Sequence, residues 1–221
     1  MILYFGDPHG EFRHIVPQVR LLKPDAIILL GDIEAPLPLH LVLRPILKET
    51  DVWFIHGNHD TDRDIFWSNL YESDLAHKSL HARVAEVDGR RVAGLGGVFR
   101  QSVWMPGGES QDIQNYNQYC KQPLLARKST EHADGMKLKA RSSIFPDDYF
   151  SLAMENADIL VTHEAPSCHP YGFAEIDELA RSLGVTESVH GHHHDNRDYR
   201  EKWPSMGFQA HGVAYRSWME L

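Results

Sequence analysis

Cysteine is scarce: the 221-residue chain has two, Cys120 and Cys168. They are too few and too irregularly placed for a disulfide framework or a thiolate metal site, and they suit a reducing compartment, so the cytoplasm is the expected location. Long apolar runs are also missing, with no stretch of about 20 such residues to span a bilayer. The opening Met1-Ile2-Leu3-Tyr4-Phe5-Gly6-Asp7 lacks a basic region and a long apolar segment, so neither export nor membrane insertion is expected. Positive charge is outnumbered: the net charge is −9 and the pI is near 5.9. Such a surface repels nucleic acid as a whole, and any polyanion contact must be local. No Gly-Lys-Ser/Thr run occurs, and Gly94-Leu95-Gly96-Gly97 lacks dinucleotide-binding spacing, which excludes a nucleotide cofactor held by those motifs.

What is present is 42% hydrophobic residues, enough for one well-buried core, and a single domain over 1–221 is expected. Apolar runs at Ile2 to Phe5, Ala26 to Leu30, Val52 to Ile55, Val92 to Leu95, Ile159 to Val161 and, more weakly, Val185 to Val189 each stop at a polar or glycine cluster, as buried strands do. Helical patterns lie between them at Phe12 to Leu22, Leu39 to Lys48 and Ile176 to Leu183, the last closed by Gly184. Asp88-Gly89 reads as a tight hairpin turn between Arg83 to Val87 and Arg91 to Ala93, so the sheet is mixed. A second hairpin is expected around Gly212, from Phe208 to Ala210 and Val213 to Ser217. The fold class is layered α/β with two mixed sheets flanked by helices. The stretch 99–146 breaks the rhythm, is too long for an ordinary connection, and reads as a lid-like insertion. Within it, Lys121 to Arg141 carries a local excess of basic residues.

Five of the apolar runs end within a few residues of metal-ligand types: Asp7-Pro8-His9, Gly31-Asp32, Gly57-Asn58-His59-Asp60, Thr162-His163 and Gly191-His192-His193-His194. Each residue alone has a plain reading, Asp7 as a helix cap, Asn58 as a turn residue, His163 as a core histidine. Those readings do not explain why every cluster follows a strand. The carboxyl ends of neighbouring strands converge in open α/β sheets, so one shared site is expected. Oxygen and imidazole donors without thiolate favour manganese, iron, zinc or magnesium in an open catalytic site.

In order and kind, these clusters resemble the motif set of the calcineurin-like metallophosphoesterases: Asp-x-His, Gly-Asp, Gly-Asn-His-(Asp/Glu), a lone His after an apolar strand, and Gly-His-x-His. The resemblance runs from Asp7 to His194 and implies a β-sandwich binding two divalent ions, manganese foremost. It places Asp7, His9, Asp32 and His194 on one metal and Asp32, Asn58, His163 and His192 on the other. It leaves His59 as proton donor to a leaving group and His190 and His193 without a ligand role. The implied reaction is hydrolysis of a phosphate ester, a phosphodiester foremost, by a metal-bridging hydroxide. Some relatives orient the histidine with an acid three residues after the Gly-Asp aspartate, but Ala35 stands there, so Asp60 or Glu34 is the expected substitute. No arginine follows Gly31-Asp32, which weakens a protein-phosphatase reading, and Arg100 is the candidate phosphate ligand instead. The alternatives are a nuclease acting on DNA or RNA, supported by the basic segment and opposed by the net charge, and a non-catalytic metal-binding scaffold.

Overall fold

The computed structural model describes residues 1–108 and 112–221; residues 109–111 of the expected insertion lie outside the described residues. The first half alternates β1 (Ile2–Phe5), α1 (Ile15–Leu22), β2 (Ala26–Leu30), α2 (Leu39–Val42), β3 (Asp51–Ile55) and α3 (Asp64–Tyr71). β1, β2 and β3 pair in parallel, and the final strand of the chain closes the outer edge of β1 antiparallel. The second sheet begins with the hairpin β4 (Arg83–Val87) and β5 (Arg90–Leu95), whose register Val87↔Arg90 leaves a two-residue turn with both φ angles positive, Asp88 at 50° and Gly89 at 70°. It continues in parallel through β6 (Ile159–Thr162), β7 (Glu187–His190) and β8 (Gln209–Gly212).

The strand runs read as almost wholly apolar because both faces of each sheet are covered. Ile2, Tyr4, Ile28, Leu30 and Ile55 turn inward against Val92, Val161 and Val189 of the facing sheet. Their neighbours Leu3, Phe5, Ile27, Leu29 and Phe54 turn outward against α1 and α2, through Ile15, Val19 and Leu39. On the far side, Leu95 and Leu160 pack against α7 (Pro146–Leu152) and α8 (Ala174–Leu183), through Tyr149, Leu152, Ile176 and Leu179. Gly184 ends α8 at φ 70°, in the left-handed conformation the sequence led one to expect.

Between β5 and α7 the chain makes α4 (Tyr116–Cys120), α5 (Pro123–Ala126) and α6 (Thr130–Ala140) around an apolar cluster of their own, including Val103, Tyr119, Leu125, Ala133 and Phe145. Val98 bridges Ser143, so the segment leaves and re-enters the domain at one place.

Two expectations are corrected. The helix expected to reach Lys48 is regular only over Leu39–Val42, because Pro45 has no N–H and its ring would clash with the carbonyl of Leu41. The terminal hairpin does not form: β8 joins the second sheet beside β7, whereas β9 (Trp218–Glu220) joins the first beside β1. After the short α9 (Trp203–Met206) and β8, the chain crosses between sheets against Gly6, where a side chain would meet the Val213 and Ala214 carbonyl oxygens at 2.5 and 2.6 Å.

Ile28→Ala, in the fully buried layer between the sheets, is expected to cost about 2–5 kcal/mol in urea-induced unfolding. Leu21→Ala, at a side chain 73% exposed, is expected to stay within about 0.5 kcal/mol.

Candidate metal centre

β1, β2 and β3 run parallel within one sheet, and β5, β6 and β7 within the other, so each set delivers its C-terminal ends to a common edge. The residues just beyond these ends are held in unusual backbone. Asp7, His9, Asp32, Glu34, His192 and His194 all have positive φ, between 39° and 73°. Each such conformation costs on the order of 1–3 kcal/mol and persists only where the surroundings over-determine it. Here His9 N–H donates to the Asp32 carbonyl at 2.9 Å and Gly10 N–H to that of Ile33 at 3.0 Å. His192 N–H donates to both Asp7 carboxylate oxygens, at 3.1 and 3.0 Å, tying the end of β7 to the end of β1.

The result is two ligand groups that share one carboxylate. Asp7, His9, Asp32 and His194 bring one N or O atom each to within 4.8 Å of one another, and so do Asp32, His163 and His192. Nε2 of His9 and Nε2 of His194 approach to 3.1 Å, converging on a common point. His163, fully buried, donates from Nδ1 to the Leu30 carbonyl at 2.8 Å, which turns Nε2 toward the site. That nitrogen lies 3.2 Å from Asn58 Oδ1 and 3.4 Å from Asp32 Oδ1. Asp32 Oδ2 is buried without a partner. An orphaned carboxylate oxygen beside a ring of imidazole and carboxylate donors fits divalent cations, since a buried anion needs compensation. Asp7, His9, Asp32, Asn58, His163, His192 and His194 are thus brought together.

The electrostatics carry the same demand for positive charge. Burial pushes the Asp7 carboxyl up to about 6, with the Asp32 charge adding to it. For His163 burial works against charge, yet Asp32 and Asp7 overcome it and raise the ring to about 10. Burial also opposes charge on Asp32, but His163 and the His59 N–H hold that carboxyl below the usual range.

The remaining acids separate into distinct roles. His59, half-exposed, donates from Nδ1 to Asp62 Oδ2 at 2.6 Å. Its backbone N–H donates to Asp32 Oδ1 at 2.7 Å. The expected partners lie elsewhere: Asp60 takes the backbone N–H groups of Glu34 at 2.7 Å and Gly57 at 2.8 Å, while Glu34 binds His9 Nδ1. Neither Asp60 nor Glu34 orients His59. Burial, with the Asp32 charge adding, pushes the Asp60 carboxyl to about 7, so it serves as a buried brace of the ligand loop. Asp62 was missed because its contact depends on the local backbone: His59–Thr61 is a 3₁₀ turn, in which side chains three apart eclipse.

Arg100 donates from Nη2 to Ser142 Oγ at 3.2 Å, and its buried Nε has no partner; it lies in the field of Asp62, Glu164 and Asp32. Glu164, absent from the sequence reading, is buried and accepts the Phe99 N–H at 3.1 Å, and forms a further potential ligand group with His192 and His193. The only hint was its place directly after His163. His193 stacks on His169 with ring centroids 3.8 Å apart, and His190 is buried, 3.2 Å from the Tyr199 hydroxyl.

With this geometry in hand, comparison with known proteins is decisive. The sequence model of the family described as calcineurin-like phosphoesterase matches residues 1–196. The chain belongs to this family. A Haemophilus influenzae relative, itself an uncharacterized protein, is 41% identical over 219 residues, covering 98% of this chain and 92% of its own. Among solved structures, TT1561 of Thermus thermophilus superposes with a TM-score of 0.57 at 16% identity, covering 98% of this chain and 89% of that one. A second superposes at 0.53 with 14% identity, over 97% and 90%. These structural likenesses concern the fold, the two-sheet α/β architecture of metallophosphoesterases, with helices on both outer faces.

In this calcineurin-like phosphoesterase the ligand loops touch through glycine. A Cβ on Gly57 would lie 2.3 Å from Asp32 N and Oδ1 and 2.6 Å from His163 Cε1. Gly57→Ala is therefore expected to push Asp32 and His163 apart and weaken divalent-cation binding by at least about tenfold in an equilibrium titration, whereas Gly89→Ala, whose added Cβ meets nothing within 4 Å, is expected to leave it unchanged.

Proposed function

We propose that this protein is a dinuclear-metal phosphoesterase that hydrolyses phosphodiesters. The observation that carries the reading is the position of Asp32 in both ligand groups, with one carboxylate oxygen otherwise unpartnered. Asp7, His9, Asp32 and His194 would hold one ion, and Asp32, Asn58, His163 and His192 the other. When bound, two such ions, manganese foremost, act as Lewis acids toward the phosphoryl oxygens and make water acidic enough to supply a nucleophile near neutral pH.

The protein's own groups do the rest. The nucleophilic water oxygen joins phosphorus as the bond from phosphorus to the leaving oxygen breaks, and His59 protonates that oxygen. Asp62 fixes the ring through Nδ1, leaving Nε2 as the donor. Burial lowers the basicity of His59, but the Asp62 hydrogen bond and the Asp32 charge outweigh it and raise the ring's pKa. His163, His9 and Asp7 are held by the Leu30 carbonyl, Glu34 and the His192 N–H, so the donor set is pre-organised.

Two features favour a diester of modest size. Arg216 donates to the Pro8 and His9 carbonyls, so its guanidinium is not free to hold the second charge of a monoester. In the basic segment behind the nuclease alternative, Lys137 pairs with Asp134 at 3.1 Å and Arg141 lies over the Trp67 and Tyr116 rings, which supports a compact substrate over a nucleic-acid track.

The manganese-loaded protein is expected to cut bis(p-nitrophenyl) phosphate faster than p-nitrophenyl phosphate, with activity abolished by a chelator. Faster cleavage of the monoester would overturn the diester preference, and cleavage of neither would overturn the catalytic reading. Metal analysis is expected to give about two ions per chain for the wild type, about one for His194→Ala and fewer than one for Asp32→Ala. His59→Ala is expected to lose on the order of 10²–10⁴-fold on a diester with an alkyl leaving group, and far less on a nitrophenyl ester, whose leaving oxygen needs no proton.

A further inference from the structure

Outside the metal centre, a cavity of about 880 Å³ opens between the turn after β5 and helix α6. That volume exceeds what a phosphate needs and lies in the range that takes an organic ligand. Its walls are chemically mixed. Tyr119 and Met136 offer a flat ring and a thioether, Ser102 a hydroxyl, Arg100 and Lys139 positive charge, and Glu131 a single negative charge.

Arg100 belongs to this cavity and is also linked to the Asn58 loop of the metal centre. A chain of hydrogen bonds makes this connection. Arg100 Nη2 donates to Ser142 Oγ at 3.2 Å, Ser142 Oγ and Thr61 Oγ1 are 2.6 Å apart, and Thr61 Oγ1 donates to the carbonyl of Asn58 at 3.1 Å. The cavity wall is thus rigidly registered to the loop that carries the metal ligands. The buried, unpartnered Arg100 Nε leaves a donor available at their junction.

We infer that this cavity receives the organic body of the substrate, and that the substrate class is a phosphodiester carrying a polar, flat-ringed group of about nucleoside size, with Arg100 at the junction between that group and the phosphate. The inference rests on the phosphoesterase reading above. Aromatic and thioether surface suits a ring face, the hydroxyl suits sugar-like polar edges, and the cations favour an anionic ester over a neutral one.

The test compares two esters with the same leaving group, bis(p-nitrophenyl) phosphate and thymidine 5′-(p-nitrophenyl) phosphate, on the manganese-loaded wild type, Gly135→Trp and Lys139→Glu. A Cβ at Gly135 meets nothing within 4 Å and sits inside α6, so the tryptophan can be accommodated there without displacing backbone. The wild type is expected to prefer the nucleoside ester, and both variants are expected to lower the ratio of its kcat/KM to that of the small diester by at least about tenfold. A ratio unchanged in both variants, or no wild-type preference, overturns the cavity assignment while leaving the phosphoesterase reading in place. Should the wild type cut neither ester, equilibrium dialysis with thymidine 5′-monophosphate decides separately. Binding that is weakened in Gly135→Trp keeps the cavity and removes the reaction, and binding that is absent or equal in the two proteins removes both.

Discussion

A single carboxylate organises this molecule. Asp32 is buried, leaves β2 in a left-handed conformation, accepts the His59 N–H on one oxygen and has no partner on the other. An anion so placed is costly unless cations meet it, and the imidazoles of His9, His163, His192 and His194 surround it because they are the donors that can share those cations. The Asp32 backbone is tied as firmly as its side chain, since its carbonyl accepts the His9 N–H. Moving Asp32 would therefore disturb the ends of β1, β2, β3 and β6 together.

The sandwich makes that arrangement tolerable. Six residues with positive φ, two of them the buried carboxylates Asp7 and Asp32, would not persist on a loop free to relax. Here they are anchored to strands whose side chains are buried on both faces, and the apolar layer between the sheets resists displacement because its packing has no slack. Strain and unsatisfied polarity are concentrated at one edge of the sheets, and the rest of the structure follows ordinary rules of alternation and capping. Such concentration is what a preorganised site requires, since donors that need not reorganise during reaction stabilise developing charge most effectively.

Much of this was legible in the chain. The apolar runs ending at β1, β2, β3, β5 and β6 coincide with strands within a residue or two, because burial on both faces leaves an unbroken apolar signature. The Asp88-Gly89 turn and the Gly184 cap were readable because only certain residues accept positive φ cheaply. That Asp7, His9, Asp32, His163, His192 and His194 would gather was readable because they follow strand ends. Long-range choices were not. Whether β8 and β9 would pair with each other or join opposite sheets depends on edges left open elsewhere in the fold, and Gly212 carries no record of them. Which acid meets His59 depends on the 3₁₀ turn after Asn58. Asp60, next in sequence, points its oxygens back to the Gly57 and Glu34 amides, while Asp62, one turn on, reaches the ring. Arg100 was selected for its position after the glycine turn, and nothing local indicated that it would line a cavity and donate to Ser142.

The insertion illustrates why a segment poor in strand signals can still be part of the working site. Its helices bury Val103, Tyr119, Leu125 and Phe145 in a small core separate from the inter-sheet layer, so it holds its own shape. It is nonetheless fixed to the edge where the Asp and His side chains cluster, at Val98–Ser143, where the chain enters and leaves, and through Ser142 to Thr61. Gly97, at φ 86°, lets the backbone pass against the Ser142 carbonyl, where a side chain would approach to 2.6 Å. A self-contained lobe fastened this closely to the Asn58 loop cannot drift relative to it without breaking buried hydrogen bonds. The span between the clustered side chains at the sheet edge and the cavity of this lobe is therefore set by the fold itself.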